Sequence, residues 1–121
     1  MYRFEKLRVY HDAIDLVEEI YKVTKRLPNE EKFALTDQLK RSSVSIVLNI
    51  AEGTGANGDI EFKSFLRIAL KSLYETVAGL KVAERLFKVK TDMTLKRCEE
   101  VGRGINALIK SLTNQRQKAN D

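Results

Sequence analysis

The sequence predicts an all-α fold, an up-and-down antiparallel four-helix bundle, and three features carry the prediction. Apolar residues recur at three- and four-residue steps through most of the chain. The breaks in that rhythm fall at a single proline and one glycine-rich segment. The connections between periodic segments are short, which favours antiparallel neighbours. At 121 residues, with 43% hydrophobic and 32% charged residues, the chain fits one domain spanning 1–121, too apolar for disorder and too charged for a membrane protein. One Pro and six Gly argue against a turn-rich β sandwich, and the lone Cys98 excludes an internal disulfide framework.

Val9, Ala13, Leu16, Ile20, Val23 and Leu27 form the apolar stripe of the first helix, opposite Asp12, Asp15, Glu19, Lys22 and Arg26. Pro28 stops it, because the residue before a proline avoids the α region. Asn29 is positioned to cap a second helix whose first turn holds Glu30 and Glu31, at the positive end of the dipole, and which runs to about Glu52. Gly53 to Gly58 is then a loop, with Asp59 available to cap a third helix from Ile60 to about Val89, roughly 45 Å long. Thr91 or Asp92 caps a fourth, with Leu95, Cys98, Val101 or Gly102, Ile105, Leu108, Ile109 and Leu112 on its apolar side. Residues 114–121 are polar and expected to fray.

The longest purely apolar runs, such as Ile46 to Leu48, are far short of the roughly 20 residues of a membrane span, and the N-terminus mixes charges and aromatics rather than leading into an apolar stretch. Cytoplasmic residence, with no membrane partner, is the expectation. The net charge of +5 is placed unevenly: residues 1–58 carry nine basic and nine acidic groups, residues 59–121 thirteen and eight. That asymmetry permits attraction to nucleic acid or to an acidic partner.

On the third helix, Lys63, Arg67, Lys71, Tyr74, Ala78, Lys81, Arg85 and Lys88 share a strip about 100° wide. The cations along about 38 Å of helix suit a phosphate backbone, with Tyr74 as a stacking group; the plainer alternative is a solvated lysine-rich face. Phe62, Leu66, Ala69, Leu73, Val77, Leu80 and Phe87 occupy one flank of the strip, and Phe65, Ile68, Val82 and Leu86 another. A helix in a monomeric bundle needs a single apolar stripe, so the surplus predicts self-association. The second helix carries Gln38, Arg41, Ser42, Ser45, Asn49 and Glu52 on one side. This stripe is either a solvated face or a hydrogen-bonded network between helices or subunits, with Arg41 and Glu52 satisfied by partners such as Glu75.

No catalytic constellation emerges. Gly53-Thr54-Gly55-Ala56-Asn57-Gly58 spells the dinucleotide fingerprint, but it follows a helix where that motif requires a strand, so an interhelical loop is the reading. His11 is the only histidine, which leaves no histidine pair for a metal and no Glu-x-x-His pair for a di-metal bundle. Cys98 falls on an apolar face without a companion thiol and reads as a small hydrophobe. No cofactor, metal or enzymatic activity is expected.

The order of residues also carries a family resemblance. Phe4, Leu7, Val9 and Ala13 lead to Ile20-Tyr21, Thr24, Leu27-Pro28, Glu31 and Phe33. Leu35, Gln38, Arg41, Ser45-Ile46 and Asn49-Ile50-Ala51-Glu52-Gly53 follow, then Glu61-Phe62, Phe65-Leu66, Ile68-Ala69 and Ser72-Leu73-Tyr74-Glu75. The chain resembles, from residue 4 to about 112, the four-helix-bundle family encoded in intervening sequences of bacterial large-subunit rRNA genes. The match is most specific from Gln38 to Glu75. The resemblance implies a homopentameric ring without known catalytic activity. The distantly similar accessory variability proteins of diversity-generating retroelements form comparable basic rings that engage nucleic acid and a reverse transcriptase. Carried over by position, Gln38, Arg41, Ser45, Asn49, Glu52, Ser72 and Glu75 form a structural or interfacial polar network. Thr54 and Ala56 depart from the aromatic and Arg frequent in the family, and Leu70-Lys71 from an Arg-Gly-like pair.

The expected function is therefore a non-enzymatic homo-oligomeric scaffold binding RNA or a ribonucleoprotein through Lys63, Arg67, Lys71, Lys81, Arg85 and Lys88. The alternative is a module whose apolar helix faces recruit another helical protein without nucleic acid.

Overall fold

The computed structural model describes the backbone of residues 1–120 and the side chains of residues 1–115. Four helices make the bundle: α1 (Arg8–Thr24), α2 (Leu35–Thr54), α3 (Asp59–Phe87) and α4 (Asp92–Asn120). Each packs on its two neighbours in a closed circuit, α1 on α2, α2 on α3, α3 on α4 and α4 on α1, with α2–α3 the most extensive contact. Residues 114–120, expected to fray, continue α4 as helix; side chains beyond Gln115, and all of Asp121, lie outside the described residues.

The core follows the apolar spacing. Leu16 and Ile20 of α1, Leu39, Ile46 and Ile50 of α2, Leu66 and Leu80 of α3 and Val101 and Ile105 of α4 are sealed from solvent. A leucine or isoleucine so buried contributes about 1.5–3 kcal/mol relative to exposure, which is what holds four amphipathic helices together. Helix α1 ends with the Thr24 hydroxyl donating back to the Tyr21 carbonyl (2.9 Å), and Pro28 follows.

The start of α2 differs from expectation. Asn29 does not cap it; Asn29–Glu31 forms one 3-10 turn closed by Glu31 N–H to Pro28 O (2.9 Å), and the helix begins at Leu35. The cause is the phase of burial: Lys32, Phe33 and Ala34 are exposed, Phe33 to 87%, so nothing in the core supports helix there, whereas from Leu35 the apolar residues face α3.

The glycine-rich segment is partly helical. Gly53 lies within α2, buried, and a Cβ there would stand 2.8 Å from Phe62 Cδ1. Its glycine serves the approach of α2 to α3 rather than a phosphate. Gly58, at φ 92°, a conformation that L side chains rarely adopt, is the N-cap of α3, and Asp59 is the helix's first residue rather than its cap. At the other end Lys88 takes the left-handed conformation (φ 57°) and its N–H bonds Glu84 O (3.1 Å). Thr91 precedes α4; its carbonyl accepts from Leu95 N–H (2.8 Å), while its hydroxyl donates to Glu84 Oε2 (2.8 Å) and ties the turn to α3.

Candidate nucleic-acid interface

Two flanks of α3 have different fates. Phe62, Leu66, Ala69, Leu73 and Leu80 enter the core, while Ile68, Val82 and Leu86 stay exposed, Leu86 to 65%. On α2, Leu48 is 53% exposed, at the height of Ile68 in the antiparallel pair. The outer side of α2–α3 therefore carries the unburied apolar surface that the sequence pattern anticipates.

Beside this flank runs the basic strip. Arg67, Lys71, Lys81 and Arg85 are exposed, and among the described residues none of their side chains makes an ion pair or hydrogen bond. Lys63 and Lys88 are engaged. Lys63 is half-buried and its ammonium donates to Thr113 Oγ1 of α4 (3.2 Å). Lys88 folds its ammonium onto the Arg85 carbonyl (3.2 Å), where a cation complements the negative end of the helix. Of the six predicted cations, the structure leaves two pairs free, each spaced i, i+4: Arg67 with Lys71, and Lys81 with Arg85. About 15 Å of helix separates the pairs. Tyr74, 68% exposed, and the exposed Ala78 occupy that interval.

The polar positions form a seam between α2 and α3. Gln38 Nε2 donates to Glu75 Oε2 (3.1 Å), Ser45 and Ser72 share a hydroxyl bond (2.9 Å), and Asn49 Nδ2 donates to the Ser45 carbonyl (2.8 Å) and hydroxyl (3.1 Å). Arg41 and Glu52 stand outside it. Arg41 faces Asp37 across 3.7 Å of exposed surface, and Gln38 takes the Glu75 carboxylate assigned to Arg41 in the sequence reading. The seam also contains a pair that reading did not link, Ser42 Oγ with Thr76 Oγ1 at 2.8 Å, both buried. Thr76 is four residues from Ser72 and donates to its carbonyl (2.9 Å), a spacing that marks it in hindsight.

On the strip's other side, α3 and α4 part to leave a groove of about 470 Å3. Leu70, Leu73, Tyr74, Val77 and Lys81 form one wall; Leu95, Cys98, Glu99, Gly102, Arg103 and Asn106 form the other. Arg103 and Asn106 were missed in the sequence; the 99, 103, 106 spacing puts them on one side of α4, but only the position of α3 makes that side a groove wall. Cys98 at the floor is buried, and desolvation, reinforced by Glu19, pushes its thiol up to about 12. At neutral pH its thiol is held protonated among packing side chains. On the α1 side of α4, Arg97 Nε donates to Glu19 Oε2 (3.0 Å) and its Nη1 to Glu100 Oε2 (3.1 Å), and the Glu19 bond raises the Arg97 pKa further.

No group of three His, Cys, Asp or Glu able to hold a metal occurs among the described residues, and none of their helices is long and apolar enough to cross a membrane. His11 is exposed, its Nε2 at 2.6 Å from the Glu5 carbonyl.

These features define a class: an up-and-down four-helix bundle whose α2–α3 pair is linked by hydroxyls, with an unburied apolar flank and free cations along one helix. The chain belongs to the 23S rRNA-intervening sequence protein family, whose sequence model matches residues 5–107. A crystal structure of a protein of unknown function from the S23 ribosomal protein family of Bacteroides thetaiotaomicron is similar, with 28% identity and a TM-score of 0.74. The likeness covers 84% of this chain and 95% of that one. No curated protein matches the sequence.

Proposed function

We propose that this protein is a non-enzymatic homo-oligomeric scaffold of the cytoplasm that binds RNA or a ribonucleoprotein through the basic face of α3. The observation that carries the reading is the exposure of Arg67, Lys71, Lys81 and Arg85 without protein partners. Four unneutralised cations on one helix face repel each other and are relieved by a polyanion, whose condensed counterions are released on binding. The family's link to rRNA intervening sequences favours RNA as that polyanion. Lys63 and Lys88, held by Thr113 and by the end of α3, add charge at the ends of the strip rather than free contacts.

Self-association is supported by Leu48, Ile68, Val82 and Leu86, whose burial against other subunits removes an apolar surface from water. The homopentamer implied by the resemblance is the assembly we adopt. Because this flank and the cations lie on adjacent arcs of α3, a ring closed through the flank repeats the basic strip around itself. The contacts are to phosphates, so binding is expected to lack strong sequence preference.

The test is the triple charge reversal Arg67→Glu, Lys71→Glu, Lys81→Glu. It is expected to abolish RNA binding at about 100 mM salt with assembly mass and melting temperature retained. Unchanged affinity removes the site. The exposed apolar flank also favours a second reading, recruitment of a helical protein; a partner retained through ribonuclease and high salt selects it, because apolar contacts do not weaken as phosphate contacts do.

A further inference from the structure

The α3–α4 groove is poorly explained by charge alone. A continuous basic face suffices to hold a duplex, whose bases are paired inside, yet here the two free cation pairs are interrupted for about 15 Å, and in that interval an apolar groove of about 470 Å3 opens beside an exposed aromatic ring. Its apolar lining includes Leu70, Leu73, Val77 and Leu95. Gly102 keeps the α4 wall bare: a Cβ there would lie 3.2 Å from Leu73 Cδ2, and any longer side chain would enter the groove. Such a volume, mostly apolar with a few polar groups at its rim, is the ordinary form of a small-ligand site. The rim groups are Tyr74, Lys81, Arg103 and Asn106, with Glu99 the one acid.

We infer that this groove seats an unpaired base of single-stranded RNA, stacked on Tyr74, while the flanking phosphates lie on Arg67 and Lys71 at one side and on Lys81 and Arg85 at the other. This rests on the RNA reading above and narrows it to a single strand. The backbone passes from one cation pair to the next, and the base drops into the interval between them. Stacking on an aromatic ring tolerates any base, because every base has a π face, and by alanine substitution it is worth about a fivefold or greater difference in affinity per base. Arg103, across the groove, supplies a further cation, and the Asn106 amide supplies donors and an acceptor for a base edge.

The experiment compares affinities at 50 mM salt for a 12-nucleotide single-stranded RNA, the same sequence as a blunt duplex, and the single strand with abasic sites throughout, using wild type, Tyr74→Ala and Tyr74→Phe. Tyr74 is largely exposed, so both variants are expected to fold. The single strand should bind wild type at least about fivefold more tightly than its abasic form. Tyr74→Ala should lose that advantage and Tyr74→Phe keep it, with duplex affinity the same for all three proteins. If intact and abasic strands bind equally, or Tyr74→Ala leaves the advantage intact, the base site is wrong while the RNA reading stands. If wild type binds none of the three, both fall, and the groove is left to an amphipathic helix of a protein partner.

Discussion

The hydroxyls of Ser42 and Thr76 meet at 2.8 Å in the middle of the α2–α3 interface, both buried. Thr76 gives its proton to the Ser72 carbonyl (2.9 Å), so Ser42 supplies the proton between them and keeps only a longer alternative, Leu39 O at 3.3 Å. The most extensive helix contact of the bundle is thus pinned by small polar side chains. Thr76→Val keeps the volume but removes the acceptor, and should cost about 1–2 kcal/mol, lowering the melting temperature by roughly 3–8 °C. Ser42→Ala should cost less, because Thr76 retains Ser72. The double variant should fall short of the sum, as a calorimetric double-mutant cycle would show.

Glycines along α2 and α3 should respond according to what a Cβ meets. Gly79→Ala puts a methyl 2.7 Å from Leu39 Cδ2, and Gly53→Ala one 2.8 Å from the Phe62 ring. Overpacking of about 1–3 kcal/mol exceeds the helix-propensity gain of about 1 kcal/mol, so both variants should lose stability in urea titrations. Gly55, with φ of −93° and its nearest atom at 3.6 Å, should accept alanine without loss.

Cys98 links stability to alkaline pH. Its folded pKa of about 12 lies above its ordinary 9.0, so above pH 9 the unfolded chain loses the thiol proton first. Stability from this group is complete below pH 9 and declines toward pH 12, by up to about 1.4 kcal/mol per pH unit. Urea midpoints at pH 8 and pH 10 should differ more for wild type than for Cys98→Ala. The thiol should resist alkylation at pH 8 until the protein is unfolded.

Arg97 joins α4 to α1 through Glu19 at 3.0 Å, with both side chains about a quarter to a third exposed. A pair so placed is worth about 0.5–1 kcal/mol. Glu19→Gln and Arg97→Met should show that coupling in a double-mutant cycle at low salt and lose much of it in 1 M salt.

Where burial follows sequence spacing, the sequence was sufficient: Val9, Ala13, Leu16, Ile20 and Val23 all face the core, and the cations of α3 share one side. The beginning of α2 differs from the local signals because Asn29 makes no side-chain cap hydrogen bond and lies inside a single 3-10 turn, whereas helix formation follows the core contacts that start at Leu35. The engagement of Lys63 depends on Thr113, fifty residues away, and no spacing rule reaches that far. The helical spacing places Lys88 within α3 as a phosphate contact, but the left-handed turn at the end of α3 bends its ammonium onto Arg85 O. Thr76 looks like one more residue on an apolar face until Ser42 is placed opposite.

The central claim, an assembled scaffold holding RNA by its α3 cations, is tested most directly by measuring single-stranded RNA affinity from about 50 to 200 mM salt with sedimentation mass recorded on the same samples. Three or four phosphate contacts predict a slope of log affinity against log salt near −2 to −3, carried by a species heavier than the monomer. A folded protein that binds no RNA at 50 mM salt, or that sediments as a monomer at micromolar concentration, would contradict it.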